Sequence, residues 1–64
     1  MKDITLEQVN YYILETESDM KKTIRMKNLF SKSEVILNIQ MLIDKQEEIL
    51  KTLNQIKQKL IGAL

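Results

Sequence analysis

The sequence predicts an all-α protein: an antiparallel helical hairpin that assembles into a homo-oligomeric helical bundle, with two copies giving a four-helix bundle. Three observations carry this expectation. Pro is absent and the only Gly is Gly62, so neither strong breaker interrupts the interior. Apolar residues recur at helical spacing in two long segments. The phase of that spacing slips between residues 28 and 34, where a capping signature also lies.

The first helix is expected over about residues 6–28. Thr5 is its cap, and Gln8 three residues later completes a capping box. Leu6, Val9, Ile13, Met20 and Ile24 then recur close to the helical period. Glu15 to Asp19, "ETESD", holds no apolar residue, and Thr16 or Ser18 could cap a new helix there. A kink near residues 15–18 therefore stands as an alternative to a straight helix.

A turn is expected at about residues 29–31. The a-like positions of the first helix, 6, 13, 20 and 27, continue by sevens to 34 and 41, not to the 39 of the second segment. An unbroken rod would rotate its apolar face away from any partner. Ser31 followed by Glu34 forms a second capping box, and Phe30 with Val35 has the hydrophobic-staple spacing. A short connection between helices favours antiparallel neighbours.

The second helix is expected over about residues 32–62. With heptad position a at Ile39, Gln46, Leu53 and Leu60, position d holds Val35, Leu42, Ile49, Ile56 and Ala63. Position e holds Ile36, Ile43, Leu50 and Leu64, interrupted by Lys57. A stripe this wide suits a helix inside a bundle more than a two-stranded seam.

Charge supports the same folding point. Residues 1–19 carry Lys2 against Asp3, Glu7, Glu15, Glu17 and Asp19, a net −4. Residues 20–32 carry Lys21, Lys22, Arg25, Lys27 and Lys32, a net +5. Residues 33–48 carry Lys45 against Glu34, Asp44, Glu47 and Glu48, a net −3, and the last stretch carries Lys51, Lys57 and Lys59, a net +3. Folding near residue 30 sets each block against its opposite. Each block also complements the dipole of its own helix.

Size argues for self-association. A chain of 64 residues buries too little surface to be robust alone, and such chains turn to disulfides, metals or oligomerisation. Cys and His are both absent, which removes disulfides, thiolate metal sites and the commonest general base. The segment "VILNIQMLI", Val35 to Ile43, is apolar nearly all round and needs cover on several sides. The expected oligomer interface is Val35, Ile36, Ile39, Leu42, Ile43, Gln46, Ile49, Leu50, Leu53, Ile56 and Leu60. Gln46 interrupts the apolar a positions, where a polar residue often selects register or oligomer state; its plainer reading is an amide in water at the bundle edge.

Composition narrows the function classes. A net charge of +1 predicts no strong attraction to nucleic acid or membranes. No apolar run approaches the ~18 residues of a membrane span, and "MKDITLEQ" lacks a signal-peptide profile, so a cytoplasmic location is expected. Nine Lys against one Arg, with many Ile and Asn, is the bias of an AT-rich genome such as that of a low-GC bacterium or its phage. "ETESD" has the alternating carboxylates of a calcium loop, but Met20 and Met26 occupy the positions that need Gly and Glu. No metal or other cofactor is expected. Ser18, Ser31 and Ser33 have no His to activate them, so no enzymatic activity is expected either.

The leading functional expectation is a non-catalytic interaction protein, an adaptor, inhibitor or small regulatory subunit, that binds another protein through an apolar helical face. Leu37, Met41 and Ile61 lie off the assembly stripe and are candidate partner contacts; their plainer use is burial in a larger homo-oligomer. Tyr11 and Tyr12 are adjacent, so one is expected to pack inward and the other is a candidate contact. Lys21, Lys22, Arg25 and Lys27 form the basic cluster, a candidate anion or nucleotide site in an oligomer, or a phosphate contact in a small DNA-binding regulator. "SKSEVI", Ser31 to Ile36, resembles the opening of the second helix in ribbon-helix-helix repressors. That family also has a basic alternating strand and a short first helix at this point. "KDITL", Lys2 to Leu6, is a poor strand and the segment after it is too long, so the resemblance ends with those six residues.

Overall fold

The computed structural model describes residues 4–64, which form two α-helices folded back on one another: α1, Leu6–Leu29, and α2, Ser33–Ala63. Lys2 and Asp3, counted in the first acidic block, lie outside the described residues, as does the start of "KDITL". Thr5 caps α1 through a complete capping box. Its Oγ1 accepts from the Gln8 backbone N–H at 3.2 Å, and its own N–H donates to Gln8 Oε1 at 3.0 Å.

α1 runs unbroken through residues 15–18. Thr16 turns inward and is half-buried, so the 3–4 spacing of inward positions passes through "ETESD" without a gap. With no Pro or Gly there, polar side chains alone do not stop the helix. One turn later, the hydroxyl of buried Thr23 donates to the Asp19 carbonyl at 2.9 Å, which satisfies it within its own helix.

The reversal occupies Phe30, Ser31 and Lys32. Phe30 leaves α1 in extended conformation and its N–H reaches back to the Lys27 carbonyl at 3.4 Å. Lys32 is the N-cap of α2 and makes no side-chain capping bond. This corrects the expected cap at Ser31: the helix begins with Ser33 as its first residue, so the Ser31/Glu34 box and the Phe30/Val35 staple both fall out of register by one. Phe30 is exposed accordingly. Lys32, like Phe30, is extended, and none of the described residues has a positive φ.

The inward faces are regular. On α1 they are Leu6, Val9, Ile13, Thr16, Met20, Thr23 and Lys27, alternating three and four apart. Val9, Ile13 and Thr23 are the buried members. Ile24, expected in this stripe, is 44% exposed, and its neighbour Thr23 takes the inward position. On α2 the seam is Ile36, Ile39, Ile43, Gln46, Leu50, Leu53, Lys57 and Leu60, with Ile39 and Ile43 buried. Those are the a and e positions. The hairpin thus uses one edge of the a/d/e stripe and turns the d edge aside.

The result is a slab. Its extents are 48 × 21 × 14 Å, one helix thick and two wide. The longest side matches the ~46 Å of a 31-residue helix rising ~1.5 Å per residue. The radius of gyration is 14.8 Å, against about 11 Å for a compact domain of this length. No helix among the described residues is long and apolar enough to cross a membrane.

Candidate docking surface

Each residue of the expected interface now has a definite place. Ile39 and Ile43, 8% and 5% exposed, are enclosed between α1 and α2 and offer nothing to another molecule. Val35, Ile36, Gln46, Leu50, Leu53, Ile56 and Leu60 are half-buried. Leu42 and Ile49, 47% and 52% exposed, face outward. Within the hairpin the stripe divides. Its a/e side makes the hairpin, and its d side, Val35, Leu42, Ile49 and Ile56, remains as an apolar edge along α2. A shallow groove lined by Lys45, Glu48, Ile49, Thr52 and Leu53 runs beside this edge.

The geometry follows from helical periodicity. Residues seven apart drift by only ~20° around a straight helix, so Leu42, Ile49 and Ile56 form a nearly axial row. The row lies next to the seam rather than opposite it. It is flanked on the seam side by Gln46, Leu53 and Leu60, and on the solvent side by Asn38, Lys45, Thr52 and Lys59.

Leu37 and Met41, 63% and 53% exposed, lie on the face of α2 turned away from α1. Ile61 is 44% exposed near the helix end. Tyr11 and Tyr12 are 63% and 50% exposed, which corrects the expectation that one of them packs inward. Their rings meet edge to face at a 5.7 Å centroid separation. The inward positions on either side, Val9 and Ile13, leave no place in the seam between them.

The basic cluster is dispersed. Lys21, Lys22 and Arg25 are exposed on the outer surface of α1. Lys27 belongs to the seam: its stem is half-buried and its ammonium donates to Gln40 Oε1 on α2. The amide of Gln40 in turn donates to Asp44 Oδ1 at 2.9 Å. Opposite charges of the two helices are thus joined through a neutral amide rather than directly.

The seam carries polar residues that spacing could have revealed and residue type concealed. Continuing Leu6, Val9 and Ile13 by alternating steps of three and four gives Thr16, Met20, Thr23 and Lys27. The polarity of Thr16, Thr23 and Lys27 hides this stripe from an apolar pattern. On α2, Gln46 sits in the hairpin seam itself, and its Oε1 is buried with no hydrogen-bond partner. Among the described residues no group of three or more His, Cys, Asp or Glu side chains could hold a metal ion. Comparison with protein-family models, with curated proteins and with solved structures returned no match.

Proposed function

We propose that this protein is a non-catalytic, self-assembling helical interaction module, an adaptor, inhibitor or small regulatory subunit, that docks an apolar face of α2 onto another protein. The observation that carries the reading is the amount of apolar surface the hairpin leaves uncovered. Four hydrophobic side chains, Val9, Ile13, Ile39 and Ile43, are buried, while α2 alone exposes Leu37, Met41, Leu42, Ile49 and Ile61. The accessible surface is 5556 Å², about 1300 Å² above the ~4300 Å² expected for a compact monomer of 7.6 kDa. Contiguous apolar surface of this kind marks protein-binding sites.

Two faces are assigned separate tasks. The d edge, Leu42, Ile49 and Ile56, serves self-association, and the opposite face with Leu37 and Met41 serves the partner. The test compares the wild type with a Leu37→Glu, Met41→Glu double variant. The wild type is expected to sediment as an oligomer and to retain a specific protein from host extract. The variant is expected to keep the mass and lose the captured protein. Salt-sensitive binding of the wild type to short duplex DNA would instead favour a DNA-binding regulator acting through the exposed Lys21, Lys22 and Arg25. A thermal shift with one nucleotide would favour an anion-binding oligomer using the same residues.

A further inference from the structure

We propose that the d edge of α2 is covered by the d edge of a second copy, packed antiparallel about a two-fold axis that passes beside Ile49. The proposal rests on the self-assembly reading above and adds the occupant, the direction and the register.

The row is complementary to itself in one antiparallel register. With Ile49 on the axis, Ile49 meets Ile49 of the partner subunit, and Leu42 meets Ile56 of the partner subunit. Val35 then meets Ala63 of the partner subunit. A two-fold interface requires this kind of reciprocity, since each residue i that touches j is matched by j touching i. The register overlaps nearly the whole of α2, whose midpoint is residue 48, so little of the row is left uncovered. On the seam-side flank, half-buried Gln46 borders Leu53 of the partner subunit at the rim of the row.

Charge selects the direction. The first half of α2, residues 33–48, carries a net −3, and residues 49–64 carry a net +3. Antiparallel packing sets each half against its opposite, whereas parallel packing sets like against like. The solvent-side flank repeats the choice at closer range. In the antiparallel register Lys45 faces Thr52 of the partner subunit and Lys59 faces Asn38 of the partner subunit. A parallel pair would place each lysine beside its own copy, which is destabilising.

α1 offers no competing row on the same side of the slab. Its positions there are Thr5, Tyr12, Asp19 and Met26, broken by a carboxylate at the centre. The row on α2 is therefore the one that a second copy can bury without enclosing a charge.

Cysteine scanning tests the register, because the chain has no Cys of its own. Under mild oxidation Ile49→Cys is expected to form a covalent dimer in most of the protein. Leu42→Cys alone is expected to stay uncrosslinked, and Leu42→Cys mixed with Ile56→Cys is expected to give the heterodimer. Self-crosslinking at both Leu42→Cys and Ile56→Cys would overturn the antiparallel register while leaving self-assembly intact. Sedimentation of the unmodified chain as a monomer at ~100 µM, above the micromolar range in which stable interfaces form, would overturn this proposal and the self-assembly reading together. Ile49→Asp, at a position exposed within the hairpin, is expected to keep the helical circular dichroism at high concentration and weaken dimerisation at least about a hundredfold. Unchanged dimerisation would place the interface elsewhere.

Discussion

Replacing Gln46 by Leu removes the polar defect in the seam at similar side-chain volume. In the wild type, Gln46 is half-buried between α1 and α2, and its Oε1 is enclosed without a donor. The hydroxyl of Thr23, the buried polar residue of α1, is engaged with the Asp19 carbonyl at 2.9 Å. An enclosed polar atom without a partner costs about 1–3 kcal/mol, and a leucine of similar volume carries no such atom. Gln46→Leu is therefore expected to stabilise the protein by about 1–3 kcal/mol. For a domain of this size each kcal/mol moves the melting temperature by roughly 4–8 °C, so the expected rise is about 5–20 °C. The assay is thermal and urea unfolding followed by circular dichroism at one fixed protein concentration, because oligomerisation couples melting to concentration. Gln46→Ala is the control. It removes the same oxygen but also one methylene, at ~0.8 kcal/mol, and leaves a small cavity, so its melting temperature stays below that of Gln46→Leu. If Gln46→Leu melts within ~0.3 kcal/mol of the wild type, below the penalty of any buried orphan acceptor, the oxygen has a partner in solution and the reasoning fails. Sedimentation of the same variant shows whether Gln46 also limits the size of the oligomer.

Three further outcomes follow from the local chemistry. Thr5→Ala removes the Oγ1 that accepts from the Gln8 N–H, the side-chain half of the capping box, and is expected to lower stability by about 1 kcal/mol in urea unfolding; no loss would mean that the first turn frays in the wild type. Lys32→Asp supplies the side-chain cap that α2 lacks and places a negative charge at its N-terminus. A gain of about 0.5–1 kcal/mol is expected, whereas Ser31→Ala should change stability by less than ~0.5 kcal/mol, and the reverse order would restore the cap to Ser31. Ile43→Ala, at a position 5% exposed, is expected to cost about 2–5 kcal/mol and to unfold much of the protein at micromolar concentration, whereas Ile24→Ala, 44% exposed, should cost less than ~1 kcal/mol. Equal losses at the two positions would mean that the seam runs through Ile24.

The two helices and the reversal near residue 30 were legible because they rest on local rules. Thr5 and Gln8 specify a cap within one turn of chain, and the slip in apolar phase is visible without knowing what packs where. The cap of α2 was misplaced by one residue because the Ser31/Glu34 spacing satisfies the capping-box rule while the helix begins at Ser33, one residue later. The straight run through "ETESD" was ambiguous for a similar reason. Its polar residues are neutral toward a helix, and the packing of Val9 and Ile13 on one side and Thr23 on the other keeps it continuous.

The division of the candidate surface was not legible at all. Along α2 the a, d and e positions are almost equally apolar, so hydrophobicity alone cannot rank Ile43 above Leu42. What ranks them is the rotation of α2 about its axis, and that rotation is fixed by α1, which presents an inward face of Val9, Ile13 and Thr23 only one seam wide. The sequence by itself determined two amphipathic helices, their direction and their excess of apolar surface, since periodicity and charge blocks are properties of each segment. The tertiary structure alone decided that Ile39 and Ile43 are enclosed while Leu42 and Ile49 face outward, because a helix with a broad apolar stripe can bury only the part that its single neighbour is wide enough to cover.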